Sequence, residues 1–349
     1  MILCYNKRDF ATARIFVCDV TAAVCLASKV KKRVSTCCIL IEGEGGRHVH
    51  DLEAAKAVHR MQEYIAGHIN DRITLRQLGT AAGYSPWHAA KLFKDATQLA
   101  PFEYIRSLRL TGAALMLRDG KGKVLDVALD FVFDSHEGFT RAFTKAFGIS
   151  PKRYSKDTPP IKLFLPQSAL NLYQIYNKGA VGVSENSGAK SIFVQVVERP
   201  ARKVLLKRGN QAGEYFAYCE EVGCDVWSVL SSVKEALYEP IGMWLPDHLI
   251  TKGTSRYVQG VEVGLDYSNI VPDGYELVEL PPCTMMVFQG EPYEDSAFME
   301  AVGEVEKHID RFDPTLYGYK WAPEHAPRFQ LAPMGYRGYI EARPVAPTQ

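Results

Sequence analysis

Residues 78–88 read LGTAAGYSPWH, a stretch in which one helix ends and another begins within a few residues. Gly83 interrupts the first helix, for which Thr74 offers a cap at the beginning. Ser85 followed by Pro86 starts the second helix, because a hydroxyl cap before proline at the first helical position is typical of a helix start. Two short helices joined by a turn that contains glycine predict a helix-turn-helix.

The same pattern returns about fifty residues later, where residues 133–151 read FDSHEGFTRAFTKAFGISP. We expect a first helix over residues 124–130, a turn over residues 131–134 and a second helix that Ser135 caps. The apolar face of that second helix carries Phe139, Phe143 and Phe147. A second helix-turn-helix is therefore predicted, and the duplication is a stronger signal than either copy alone.

Both copies belong to one all-helical domain, predicted over residues 51–155. A longer helix over residues 101–118 connects the two copies, and Pro101 opens it. Another helix precedes the first copy. Its apolar residues recur at steps of three and four, namely Val58, Met61, Ile65 and Ile69.

Length and composition indicate a multidomain globular protein. The 349 residues are 47% hydrophobic and 23% charged, which excludes collagen-like and wholly disordered chains. No run of 18 uncharged apolar residues occurs, so no membrane partner or membrane-spanning helix is expected. Eight cysteines without CxxC spacing favour a reduced chain, and we expect a cytoplasmic location.

Charge is distributed unevenly along the chain. Basic residues outnumber acidic ones by 8 to 4 in residues 1–50 and by 15 to 11 in residues 51–155. Residues 156–349 reverse this balance, with 18 basic and 25 acidic residues. A basic front and an acidic rear suggest two functions on one polypeptide.

Two segments carry little apolar periodicity. Residues 1–50 are predicted to be a poorly ordered extension, or sequence upstream of the true start codon. The cysteines and histidines there do not have the spacing of a structural zinc site, so no metal is expected. Residues 156–191 are predicted to be a linker, since they are rich in proline, glycine and serine.

The rear of the chain, residues 192–345, has an α+β texture. A first round is predicted with strands over residues 192–197 and 202–206, a helix over residues 226–237 and a strand over residues 257–265. A second round follows over residues 283–289, 298–312 and 336–343. Two such rounds predict a duplicated α+β module that closes over a central cleft.

The two helix-turn-helix stretches resemble those of the AraC/XylS family of bacterial transcription regulators, over residues 52–155. The resemblance implies that two recognition helices enter successive major grooves of double-stranded promoter DNA, with RNA polymerase as a further partner and no cofactor. Lys94, Arg106, Lys123 and Lys145 are expected to contact phosphates. The side chains expected at the DNA lie mainly in the leading turns of the two helices: Trp87, His88, Lys91, Lys94, Ser135, His136, Glu137, Thr140, Arg141 and Lys145.

Alternatives exist for some of these residues. Trp87 is equally compatible with packing against the neighbouring helix, and Arg141 could form a surface ion pair with Glu137. The chain also departs from the family at two positions. Val132 stands where relatives often have glycine, so we expect a reshaped or looser second turn. Ala90 replaces a long polar side chain, so the first recognition helix is expected to read fewer bases.

Residues 192–345 resemble the GyrI-like effector-binding domain that some AraC-type regulators carry. The resemblance rests on the order of the elements and on stretches such as QVVERPA at residues 195–201 and RYVQGVEV at residues 256–263. It implies a cleft for a hydrophobic, often cationic small molecule, held by aromatic rings and a carboxylate. The residues expected to line the cleft are Trp227, Trp244, Tyr257, Tyr319, Trp321, Phe329 and Glu341.

The carboxylate decides which kind of effector is expected. Gln330 follows Phe329 where relatives often place glutamate, and Glu341 could replace it or lie at the rim. If no carboxylate lines the cleft, a neutral ligand is favoured. Two other interpretations of the rear module stay open. One is a GyrI-like hydrolase that uses Glu341 with Tyr339 or Tyr257, and the other is a dimerisation module. No GxxxxGK[ST], GxSxG, HExxH or GxGxxG motif occurs, so we expect no enzyme.

Overall fold

A computed structural model describes residues 52–166, 191–294 and 297–348. The predicted N-terminal extension, residues 1–50, and most of the predicted linker lie outside these ranges. The described residues divide into a front unit, residues 52–157 with 164–166, and a rear unit, residues 158–163 with 191–348. None of the helices within these ranges is long and apolar enough to cross a membrane.

The front unit consists of seven helices in residues 52–157. They are α1 (Leu52–Gly67), α2 (Leu75–Ala82), α3 (Pro86–Thr97), α4 (Pro101–Arg118), α5 (Val124–Asp130), α6 (His136–Phe147) and α7 (Pro151–Asp157). The predicted caps are confirmed. The hydroxyl of Thr74 accepts from the Gln77 N–H in a full capping box, and those of Ser85 and Ser135 accept from the N–H groups of His88 and Gly138.

A single apolar cluster organises the first half of the front unit. It joins α1, α2, α3 and α4 through residues such as Met61, Leu78, Phe93 and Tyr104. Inside it, the amide of Gln62 donates to the Tyr104 hydroxyl at 3.2 Å, which satisfies two buried polar groups. In the second half the rings of Phe139 and Phe143 are fully buried, as the sequence predicted.

The turn of the second helix-turn-helix is not loosened by its valine. Val132 adopts a φ of +59°, close to the +75° of Gly83 in the first copy. The hydrogen bonds also match. Val132 and Phe133 donate to the carbonyls of Leu129 and Ala128, as Gly83 and Tyr84 donate to carbonyls of α2. The expectation of a looser turn was therefore wrong, because the chain holds a β-branched residue in the left-handed region instead.

The rear unit contains nine strands and three α-helices in its described residues. The strands are β1 (Phe193–Arg199), β2 (Arg202–Arg208), β3 (Ile241–Trp244), β4 (Tyr257–Val263), β5 (Glu276–Leu280), β6 (Cys283–Gln289), β7 (Tyr319–Trp321), β8 (Arg328–Leu331) and β9 (Ile340–Pro347). The helices are α8 (Tyr215–Val222), α9 (Val226–Leu230) and α10 (Phe298–Arg311).

The strand order of the rear sheet is symmetrical about its centre. It runs β1-β6-β9-β8-β3-β4-β2-β5, with β7 beside β9, and every pairing is antiparallel. The order β2, helices, β3, β4 in the first half returns as β6, helix, β8, β9 in the second half. The two halves meet where β3 pairs with β8, with Trp244 opposite Arg328.

Each face of the rear sheet carries apolar clusters. On one face α8 and α9 pack over β2 and β4, and α10 packs over β6. On the other face the strands enclose a separate apolar cluster around Met243, Val258 and Phe329. Neighbouring residues of a strand therefore enter different environments, because side chains alternate between the two faces.

Several rear elements differ from their predicted bounds. The predicted helix over residues 226–237 ends at Leu230, and a helix that periodicity did not indicate precedes it at Tyr215–Val222. The last strand covers Ile340–Pro347 rather than residues 336–343. Short strands β3, β5, β7 and β8 were not predicted, since three to five residues carry too little periodic signal.

Candidate functional sites

Helix α3 presents its first turns to solvent. Ala89 and Phe93 anchor the helix in the core, whereas Lys91 and Lys94 on other faces are exposed. Trp87 is 85% exposed, which removes the alternative that it is a packing anchor. An indole so exposed at the beginning of a helix is available to contact a groove.

Helix α6 repeats this arrangement in the second copy. His136, Glu137, Arg141 and Lys145 are exposed, while Phe139 and Phe143 on the opposite side are buried. No ion pair joins Arg141 to Glu137, so the guanidinium is available to a partner. Thr140 differs from the other predicted contacts. It is half-buried, and its hydroxyl oxygen is enclosed without a hydrogen-bond partner.

The rear unit brings together three of the seven predicted cleft residues: Trp244, Tyr257 and Glu341. They lie on the helix-covered face of the sheet, around the pairing of β3 with β8. Contacts link them into a closed circuit with three further side chains, in the order Trp244, Tyr257, Gln330, Tyr339, Glu341, Arg328 and back to Trp244.

One half of the circuit is aromatic and neutral. The rings of Trp244 and Tyr257 meet edge to face, with centroids 5.0 Å apart. Gln330 donates to the Tyr257 hydroxyl at 3.5 Å, and its amide oxygen lies 2.9 Å from the Tyr339 hydroxyl. Burial raises the pKa of both tyrosines well above the ordinary value, so both hydroxyls keep their protons.

The other half of the circuit is ionic. Glu341 is completely buried, so it lies in the interior of the rear unit and not at an exposed rim. Its Oε1 lies 2.9 Å from Nε of Arg328 and accepts a hydrogen bond of 2.9 Å from Nε of Arg343. Its Oε2 lies 3.4 Å from Nη2 of Arg328 and 3.3 Å from the Tyr339 hydroxyl. The Arg328 guanidinium covers the Trp244 ring at 4.0 Å.

The other four predicted cleft residues lie elsewhere. Phe329 is on the opposite face of β8, beneath the guanidinium of Arg199, since it stands between Arg328 and Gln330 on a pleated strand. Tyr319 and Trp321 pack in the apolar cluster under α10. Trp227 is half-buried on α9. The sequence supplied the aromatic residues, but strand alternation decided which of them share a face.

Comparison with known proteins identifies the front unit. A helix-turn-helix domain family matches residues 78–157. The TetD protein of transposon Tn10 from Escherichia coli is 36% identical over 94 residues, which are 27% of this chain and 68% of TetD. This chain belongs to the AraC family of transcriptional regulators.

This AraC-family protein spans less than half the length of Rob, another relative. The transcriptional regulator Rob of Salmonella typhimurium is 35% identical over 120 residues, which are 32% of this chain and 42% of Rob. A solved structure of SAV2435 bound to tetraphenylphosphonium covers 44% of this chain at 16% identity, with a TM-score of 0.30. That score is too low to support any argument about the rear unit.

Two arginines of the front unit, not predicted from the sequence, donate to backbone carbonyls at or near the ends of other helices. Arg60 on α1 donates to the carbonyls of Ala81 and Ala82 at 3.1 and 2.7 Å, which fixes the end of α2 at the first turn. Arg109 on α4 donates to the carbonyls of Ile69 and Asp71. Basic side chains stabilise helix ends, but here they come from distant helices, so no local pattern reveals them.

No metal centre is evident in the part of the chain that the structure describes, where no group of three or more His, Cys, Asp or Glu side chains is placed to hold a metal ion. Within the described residues, two groups of side chains are candidates for a functional site. One is the pair of exposed helix faces on α3 and α6, and the other is the circuit around Glu341.

Proposed function

We propose that this AraC-family protein is a promoter-binding transcription regulator whose rear unit binds a small-molecule effector. The observation that carries the proposal is the duplicated, capped arrangement of α3 and α6, each with exposed polar and basic residues in its leading turns. A recognition helix uses such residues to reach base edges in the major groove.

The exposed residues divide by chemistry into two roles. Trp87 and His88 on α3, with His136 and Arg141 on α6, supply groups for base edges, and arginine recognises guanine with two hydrogen bonds. Lys91, Lys94, Arg106, Lys123 and Lys145 supply charge for phosphates. Ser135 is engaged in capping α6, and Thr140 is half-buried, so we assign these two a structural role.

Binding of the full chain to its own upstream DNA tests the proposal. Labelled duplex is titrated over a series of salt concentrations, with random DNA as competitor. A regulator retains the upstream duplex in the presence of competitor, whereas a merely basic surface loses all duplexes equally as salt rises. Contact with RNA polymerase would follow from regulation and is tested by transcription in vitro.

The rear unit is proposed as the sensor because of the circuit around Glu341. A buried carboxylate and aromatic rings that meet edge to face, at the place where two sheet halves pair, are features of a site for an aromatic small molecule. An effector can alter DNA binding only if it binds the states of the protein with different affinities. A change in the affinity for the upstream duplex on adding a compound, lost in Trp244→Leu, would support this role.

Hydrolysis in the rear unit is the weaker alternative. A carboxylate that activates water needs an oxygen available to that water. Both oxygens of Glu341 are already engaged, Oε1 by Arg328 and Arg343 and Oε2 by Arg328 and Tyr339. We therefore assign Glu341 to binding and to maintaining the circuit, not to catalysis.

A further inference from the structure

The side chain of Arg328 stands where a cationic ligand would be held. Its guanidinium carbon is 4.0 Å from the centroid of the Trp244 ring, and its Nε is 2.9 Å from Oε1 of Glu341. An aromatic face and a buried carboxylate are the two groups that together stabilise a desolvated cation. In this chain the guanidinium of Arg328 already occupies the face of the Trp244 ring and pairs with the Glu341 carboxylate.

The charge of Glu341 is compensated from within the chain. Arg343 donates to the same oxygen at 2.9 Å, and Nη1 of Arg343 is 3.7 Å from Asp310. A cationic ligand would have to move Arg328 off both Trp244 and Glu341. Such a ligand would have to replace both the contact with the Trp244 ring and the ion pair with Glu341 that Arg328 gives up, so it gains little over the internal cation.

The outer part of Arg328 offers a different mode of recognition. The side chain is 31% exposed, and a guanidinium stacks on aromatic rings through its planar face. The flat ring of a ligand can therefore stack on the face of the Arg328 guanidinium that Trp244 does not cover. An anion gains little here, because Glu306 lies 3.9 Å from Nη2 of Arg328 and Asp310 lies beside Arg343.

We propose that Arg328 sets the charge selectivity of the rear site, so that the site accepts an uncharged aromatic effector and excludes a cationic one. This inference rests on the proposed function, namely that the circuit around Glu341 binds a small molecule. Arg328 then acts as a built-in cation, and its removal converts the site into one that takes a cation from solution.

Two probes of the same shape and different charge test the inference. Benzyltrimethylammonium is a cation, and neopentylbenzene is its uncharged carbon isostere. Their dissociation constants are measured by ligand-observed NMR on the full chain, on Arg328→Met and on the charge-conserving control Arg328→Lys. Trp244→Leu shows whether saturable binding occurs at this site, and circular dichroism shows that each variant is folded.

The native chain is expected to bind the uncharged probe at least about tenfold more tightly than the cation. Arg328→Met should lower this preference about tenfold or more, since the ring of Trp244 is uncovered and Glu341 keeps only one of its two arginine partners, Arg343. Arg328→Lys should retain the preference. Adding Glu341→Gln to Arg328→Met should abolish the gain in cation affinity.

The possible failures are distinguishable. A native chain that prefers the cation, or a preference that does not change in Arg328→Met, overturns the inference while leaving a ligand site in place. Binding of neither probe to the native chain or to Arg328→Met overturns the proposed ligand-binding role of this circuit, and the inference with it. Binding that survives Trp244→Leu has the same consequence.

Discussion

Arg141 on α6 is the predicted DNA contact whose loss we expect to be measurable. It is exposed, and Glu137, four residues earlier, does not pair with it. We expect Arg141→Ala to weaken binding to the upstream duplex by about 1–3 kcal/mol, because a guanidinium contact to a base edge is lost. Fluorescence anisotropy of the full chain with upstream and scrambled duplexes measures this loss.

The matched control is Lys320→Ala, which removes one positive charge from an exposed position on β7. It should leave both affinities unchanged within about 0.5 kcal/mol. If Arg141→Ala lowers the affinity for both duplexes equally, Arg141 contacts phosphate and not a base edge. No loss for either would remove it from the interface.

Val132 is a β-branched residue of the front unit with a left-handed backbone conformation. Its φ of +59° costs an L residue about 1–2 kcal/mol, and glycine would avoid this cost at the price of about 0.5–1 kcal/mol of additional freedom in the unfolded chain. Val132→Gly should therefore stabilise the front unit by about 0.5–1 kcal/mol. Hydrogen exchange of the α5 and α6 amides in the full chain measures the change.

The duplication supplies the reciprocal control for Val132→Gly. Gly83→Ala places a side chain at the equivalent turn, where φ is +75° and the nearest atom to the new Cβ is 3.9 Å away. It should destabilise α2 and α3 by about 1 kcal/mol through backbone strain alone. A Val132→Gly variant that exchanges faster than the native chain would contradict the strain argument.

At the scale of elements, the contact between α4 and the end of α5 depends on one glycine. Gly112 lies inside α4, and a Cβ added there would be 2.5 Å from the ring of Phe131. Alanine normally stabilises a helix interior by about 1 kcal/mol relative to glycine, but overpacking costs about 1–3 kcal/mol. Gly112→Ala should thus lower the stability of the front unit, measured by hydrogen exchange of α4.

Gly303 on α10 is the control for this prediction. Nothing lies within 4 Å of a Cβ added there, so Gly303→Ala should stabilise its helix by about 1 kcal/mol. Opposite signs for the two variants are expected. A stabilising Gly112→Ala would show that Phe131 can move away without cost, and the close packing of α4 on α5 would not be required.

At the scale of the whole molecule, sensing requires that effector binding and DNA binding are linked. A compound that changes the affinity for the upstream duplex by some factor must itself bind the DNA-loaded protein with an affinity changed by the same factor. Two titrations of the full chain measure this, one of DNA at saturating compound and one of compound at saturating DNA.

The control for linkage is Trp244→Leu, which changes the rear circuit and leaves the sequence of α3 and α6 unchanged. Its DNA affinity in the absence of compound should equal that of the native chain, while the effect of the compound disappears. If the compound still changes the DNA affinity of Trp244→Leu by the native factor, the circuit is not the sensor.

The sequence by itself determined the helices and turns of the front unit. Caps such as Thr74, Ser85 and Ser135 act within four residues of themselves, so local chemistry is sufficient to place helix starts. The exposed faces of α3 and α6 followed from the same periodicity. Even there, Val132 adopts a left-handed conformation that its β-branched side chain disfavours, and local propensity does not predict it.

Only the tertiary structure decided the rear site. The circuit around Glu341 joins side chains from β3, β4, β8 and β9, and strand alternation sent Phe329 to the opposite face. Likewise Ile161, in the predicted linker, is buried and donates to Ser232, 71 residues along the chain. Such contacts depend on which distant strands become neighbours, and no periodicity within one segment records that choice.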